Sequence, residues 1–109
     1  MPTFEDFLQL DIRAGTILRA EVFERARKPA YKLWIDFGDL GEKQSSAQIT
    51  DRYTPAALVG TQVLAVVNFP PRNIAGFSSE CLVLGVYAEN DEVVLLRPDM
   101  QVPNGGKAG

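Results

Sequence analysis

The sequence predicts an all-β domain over residues 1–109: a five-stranded Greek-key barrel with short N-terminal and connecting helices. Three observations predict it. Apolar and polar residues alternate through the first half, three continuous apolar runs occupy the second, and turn residues separate these segments. At 109 residues the chain has room for one domain around one core.

Taken in order, Thr3 is placed to cap a short helix. Glu5 and Asp6 suit the positive end of that helix, and Phe4, Phe7 and Leu8 give it an apolar stripe. From Asp11 the period changes. Leu18, Ala20 and Val22 alternate with Arg19 and Glu21, the pattern of a strand with one buried face. Gly15, near the start of this strand, is expected to supply a bulge or a sharp bend. Arg25 to Pro29 form a basic loop. Leu33, Ile35 and Phe37 then alternate with Lys32, Trp34 and Asp36 as a second strand.

Gly38-Asp39-Leu40-Gly41 is turn chemistry and leads into a third strand, Lys43–Ile49, which is unusually polar. With Ala47 and Ile49 facing inward, Gln44, Ser46 and Gln48 face outward beside Lys32 and Trp34. Thr54 caps a second short helix that has Pro55 at its first position and Gly60 at its end. The apolar runs Val63–Val67, Cys81–Leu84 and Val93–Leu96 follow, punctuated by a Pro70-Pro71-Arg72-Asn73 loop and by Gly76. Five strands with a short helix between the third and fourth is the order of an OB barrel. An antiparallel barrel with one wet face should alternate, so solid apolar runs imply that part of the outer wall is covered. A second copy in a homodimer is the expected cover, and the N-terminal helix folded over a monomer is the alternative.

Composition narrows the chemistry. Histidine is absent and Cys81 is the single cysteine, which removes histidine-based nucleophile activation, histidine-bound zinc and any intrachain disulfide. The 14 acids are scattered and no phosphate-binding glycine motif is present. We therefore expect no catalytic residues, no metal, no cofactor and no enzyme activity. Cys81 lies in an apolar run and is expected to be buried and unreactive. The net charge is −3 and the pI about 4.8, which disfavours indiscriminate nucleic-acid binding. The charge is uneven, however. Between Arg13 and Lys32 six basic residues face only Glu21 and Glu24, and Glu89-Asn90-Asp91-Glu92 forms an opposite pole. No segment is apolar for the ~20 residues a bilayer requires, and the acidic start lacks the cations of a signal peptide. A cytoplasmic location without membrane insertion is expected.

Several segments resemble a known family. Asp11-Ile12-Arg13-Ala14-Gly15-Thr16-Ile17 resembles the opening strand of the tRNA-binding domain family, found on some methionyl-tRNA synthetases and in free-standing proteins. Lys43-Gln44-Ser45-Ser46-Ala47-Gln48-Ile49-Thr50 resembles its CsaA-type export-chaperone branch, where the wider family tends to carry a Ser-Gly-Ile-Ala sequence. Ala65-Val66-Val67-Asn68-Phe69-Pro70-Pro71-Arg72, with Ile74-Ala75-Gly76-Phe77 and Ser79-Glu80 after it, is similar to the same branch. The resemblance implies a homodimeric OB-fold chaperone that binds unfolded preproteins or signal peptides during export. The wider family implies binding to the outer corner of tRNA.

The face around strands two and three is the usual ligand platform of an OB fold. Alternation places Lys32, Trp34, Ser46 and Gln48 there. Trp34 is suited to stacking a base or an apolar peptide side chain, or else to ordinary packing. Asn68, Arg72, Ser79 and Glu80 fall in loops after strands, and the resemblance puts the matching positions beside the binding face. Arg72 offers a bidentate donor, or pairs with Glu80 as a clasp. Phe77 is either an exposed anchor or a core plug. Arg25, Arg27 and Lys28 form the electrostatic patch.

Overall fold

A computed structural model describes residues 1–109. The N-terminal helix α1 (Phe4–Leu8) is closed by a capping box: the Thr3 hydroxyl accepts from the Asp6 amide, and the Asp6 carboxylate accepts from the Thr3 amide. Its apolar stripe does not cover the barrel. No residue of α1 is buried, and Phe4 is 68% exposed.

The barrel is organised around β1 (Ile12–Val22), which pairs antiparallel with β2 (Tyr31–Asp36) on one side. Next in sequence come β3 (Glu42–Ala47), the helix α2 (Pro55–Leu58) and β4 (Gln62–Val66). The hairpin β5 (Arg72–Ile74) and β6 (Phe77–Ser79) precedes β7 (Leu82–Val83), and the hairpin β8 (Gly85–Tyr87) and β9 (Val93–Leu95) completes the strands. The main sheet has five strands in the order β3-β2-β1-β4-β7. It curls until its two edges meet. The Glu80 amide donates to the Gln44 carbonyl at 2.8 Å, and the Ser45 hydroxyl donates to the Cys81 carbonyl at 2.7 Å. The result is a nearly closed OB-type barrel, as the element order implied.

The core follows the alternation of β2. Leu33, Ile35 and Phe37 are fully buried, and Ile17, Leu58 and Val63 join them. Thr54 caps α2, Pro55 stands at its first position, and Gly60 leaves it at φ +88°, each as read from the sequence. No helix is long and apolar enough to cross a membrane.

Four local expectations are corrected. The bulge in β1 lies between Ile17 and Arg19, with Leu18 as the extra residue, so Leu18 points outward and is 47% exposed. Gly15 is instead a point of close approach: a Cβ there would stand 2.7 Å from Ile35 Cγ2 and from the Phe37 ring. The third strand runs Glu42–Ala47 rather than Lys43–Ile49, although Ala47 and Ile49 do face inward. The supposed Pro70–Asn73 loop enters a hairpin. Its two-residue turn, Ala75-Gly76, has φ +49° and +85°, the positive pair that a type I′ turn requires.

The chain closes with a strap. Residues 102–108 run back along the start of β1, where the Gly105 amide donates to the Ala14 carbonyl at 2.7 Å and the Ala108 amide donates to the Ile12 carbonyl at 2.8 Å. Asn104 is its hub. Its Oδ1 accepts from the Thr16 hydroxyl at 2.7 Å and from the Gln62 side-chain Nε2 at 3.1 Å, and its Nδ2 donates to Asp36 at 3.3 Å.

Candidate functional site

The registers of β1, β2 and β3 decide what shares the outer face. Arg19 is opposite Trp34 and Glu21 opposite Lys32, while Lys32 and Trp34 lie opposite Ser46 and Gln44. The neighbours Ala20, Leu33 and Ser45 turn inward, so these six side chains share one surface.

Aromatic rings and cations interleave on that surface. The Arg19 guanidinium lies over the Trp34 ring, 4.4 Å from its centroid, and is held there by a hydrogen-bonded ion pair with Glu21. The Lys32 ammonium sits between two rings, 4.8 Å from Phe23 and 5.1 Å from Phe77. Phe77 meets both Phe23 (5.4 Å) and Trp34 (6.0 Å) edge to face. These contacts keep two positive charges next to apolar surface without neutralising both, since Lys32 has no acidic partner within ion-pair distance.

The β5–β6 hairpin brings Phe77 to this face and is itself pinned to the edge of β3. The Ser46 amide donates to the Ser79 hydroxyl at 3.0 Å, the Gln44 amide donates to a Glu80 carboxylate oxygen at 2.9 Å, and the Gln44 side chain donates to the Ser78 carbonyl at 2.8 Å. Ser79 and Glu80 therefore cap an exposed sheet edge. Glu80 does not pair with Arg72, whose guanidinium is exposed and makes no ion pair.

Beside the pinned edge lies a depression of about 190 Å³, walled by Phe69, Pro70, Ile74 and Leu82, with Ser46 and Arg72 also on its lining. Cys81 borders it but stays buried. Burial pushes its thiol up to about 11, so at neutral pH it is protonated and a poor nucleophile. Asn68 stands apart: its Oδ1 accepts from the Asp11 amide at 2.9 Å and its Nδ2 donates to the Gln9 carbonyl at 2.8 Å, clasping the segment after α1. Gln48 is exposed beyond the end of β3, and Arg25, Arg27 and Lys28 are exposed in the β1–β2 loop without ion-pair partners.

Of the residues singled out in the sequence, Lys32, Trp34, Phe77 and Ser46 thus meet on one face, with Ser79 and Glu80 supporting it. Sequence reasoning passed over Arg19 and Phe23 as members of that cluster. Arg19 had the right outward parity, but only the shift at Leu18 sets it over Trp34.

Residues 12–107 match the family model described as "Putative tRNA binding domain". The chain belongs to the tRNA-binding domain family. Among family relatives, the methionine–tRNA ligase of Methanococcoides burtonii is 35% identical over 103 residues, or 94% of this chain. The match occupies only 15% of that ligase, so the chain spans a small part of the length of the curated relatives it matches. Two solved structures are similar over the whole chain. Chaperone CsaA of Bacillus anthracis is 60% identical, with a TM-score of 0.95 over 100% of this chain and 99% of that one. The CsaA chaperone protein of Picrophilus torridus is 51% identical, with a TM-score of 0.93 over 100% of both chains. Within the tRNA-binding domain family, this chain therefore resembles the CsaA branch that Lys43–Thr50 pointed to.

Proposed function

We propose that the protein is a non-catalytic, cytoplasmic chaperone of the CsaA type, binding unfolded preproteins or signal peptides as a homodimer. The observation that carries this reading is the depression beside the β3 edge. It combines the apolar walls of Phe69, Pro70, Ile74 and Leu82 with a free Arg72 and adjoins the Trp34–Phe77 surface. Apolar walls with a few polar groups suit an extended peptide that offers apolar side chains and a polar backbone. The likeness to chaperones over the full chain supports the same reading.

The homodimer rests on surface that α1 and the apolar runs leave uncovered. Leu8 is 52% exposed, Phe69 follows the Asn68 clasp at the end of α1, and Leu82 shares the depression with Phe69. Exposed apolar side chains on neighbouring segments are what a two-fold partner covers.

The reading is tested by titrating a labelled signal peptide into the wild type, Trp34→Ala and Phe77→Ala, with thermal melts alongside. We expect micromolar binding by the wild type and about tenfold weaker binding by each variant, with both still folded. Unchanged affinity in both variants excludes this face as the peptide site.

A second reading, tRNA binding, is favoured by the family match and by the Arg19 and Lys32 cations on aromatic rings, which suit phosphates and unstacked bases. It requires affinity to fall with rising salt, at a slope of about −0.7 to −0.9 per phosphate contact.

A further inference from the structure

The asparagines of the chain are Asn68, Asn73, Asn90 and Asn104, and only Asn104 is followed by glycine. In an Asn-Gly pair no Cβ screens the glycine nitrogen, so that nitrogen can reach the carbonyl carbon of the asparagine side chain. Phe69, Ile74 and Asp91 supply such a screen at the other three positions. Asn104 is also the hub of the strap, so a change at this side chain reaches Thr16, Asp36 and Gln62 at once.

The closed strap withholds both reacting groups. The Gly105 amide is donated to the Ala14 carbonyl at 2.7 Å, which keeps its proton from water. The Asn104 carboxamide is held at both ends, with the Thr16 hydroxyl and Gln62 Nε2 donating to Oδ1 while Nδ2 donates to Asp36. Yet the strap is secured by hydrogen bonds and not by core packing. None of residues 101–109 is buried, and the rungs beside Asn104 are the Ala14 amide on the Gly106 carbonyl and the Ala108 amide on the Ile12 carbonyl, each at 2.8 Å. Segments with few buried apolar contacts open far more often than the whole fold unfolds.

We propose that Asn104 is a self-modification site, guarded by the closed strap and reacting only while the strap is open. The Gly105 nitrogen then attacks Asn104 Cγ. The N–Cγ bond forms, the Cγ–Nδ2 bond breaks, and the side-chain nitrogen leaves as ammonia, taking the proton of the Gly105 amide. Water opens the resulting cyclic imide at either carbonyl and leaves aspartate or isoaspartate at position 104. Both products oppose reclosure. Aspartate turns a carboxylate oxygen toward Asp36, where Nδ2 had donated. Isoaspartate also adds a methylene to the main chain, which carries Gly105 away from its place on Ala14. The reaction thus converts a reversible opening into a permanent one and uncovers the start of β1.

The test incubates the whole protein at mildly alkaline pH, folded and in urea, and follows amide-to-acid conversion at each asparagine by peptide mass mapping. We expect Asn104 to convert first, and at least about tenfold more slowly in the folded chain than in urea. Ala108→Pro removes the amide that bonds to Ile12 and leaves every Asn104 contact in place. Thr16→Val removes one of the bonds to Oδ1 and guards against a wider effect of the proline. Each variant should speed folded-state conversion about two- to tenfold, with hydrogen exchange at the Gly105 amide rising in step. The converted wild type should melt lower and lose protection at Gly105. Earlier conversion at Asn68, Asn73 or Asn90 overturns the assignment of the site. Equal rates folded and in urea overturn the guard, as does a rate that Ala108→Pro leaves unchanged. Slower conversion in Thr16→Val overturns it too, since the bonds to Oδ1 would then be activating the carboxamide. A converted protein with an unshifted melt and a protected Gly105 amide overturns the permanent opening.

Discussion

Gly15 has no room for a methyl group. A Cβ would stand 2.7 Å from Ile35 Cγ2 and from the Phe37 ring, and both side chains are fully buried. Neither can withdraw without disturbing the rest of the core. Gly15→Ala should therefore cost about 1–3 kcal/mol, read as a lower urea midpoint at unchanged m. An unshifted midpoint would mean that the strand moves aside freely. Cys81 shows the same dependence on surroundings in chemical form. Its thiol is insulated by burial, with the Ser45 hydrogen bond and the nearby Lys43 offsetting only part of the effect.

At the scale of elements, the β5–β6 hairpin does two jobs: it caps the edge of β3 and carries Phe77 onto the outer face beside Trp34. Glu80→Ala leaves the Gln44 amide without its acceptor, and we expect about 1–3 kcal/mol of destabilisation, with faster hydrogen exchange at Gln44 than at Leu33. Equal protection at both amides would show that the hairpin is dispensable to the edge. Much of this level was legible in the sequence. The alternation of Leu33, Ile35 and Phe37 and the caps at Thr3 and Thr54 depend on neighbours only a few residues away. The hairpin was not legible, because each strand has three residues and the turn places Ala75 at positive φ, where its side chain gives no warning. The shift at Leu18 was hidden for a similar reason. A bulge slides the parity of a strand without changing its composition, and Leu18 reads as a core residue in either register. Trp34, Lys32 and Ser46 were placed on a common face by parity alone. That Lys32 rests between Phe23 and Phe77 depends on a fold-back of more than forty residues, which local patterns do not encode.

Across the whole molecule, several apolar side chains stay uncovered beside charged loops. The β1–β2 loop carries the unpaired Arg25, Arg27 and Lys28, Glu89 and Glu92 gather around Arg52, and α1 presents Phe4 and Leu8 to solvent. If a second copy covers the apolar side, the 12.0 kDa chain should sediment at twice its mass at micromolar concentration. Phe7→Asp combined with Leu8→Asp should return it to a single copy with the barrel still folded. A wild type that sediments as one chain throughout would refute the dimer. The terminal strap has a mechanical corollary. Ala108 bonds to Ile12 and Lys107 is bridged to Arg13 in antiparallel sense, so the two ends of the barrel leave it side by side. Tension applied to those ends would part the strap rung by rung, like a zipper, and would never load its bonds together in shear.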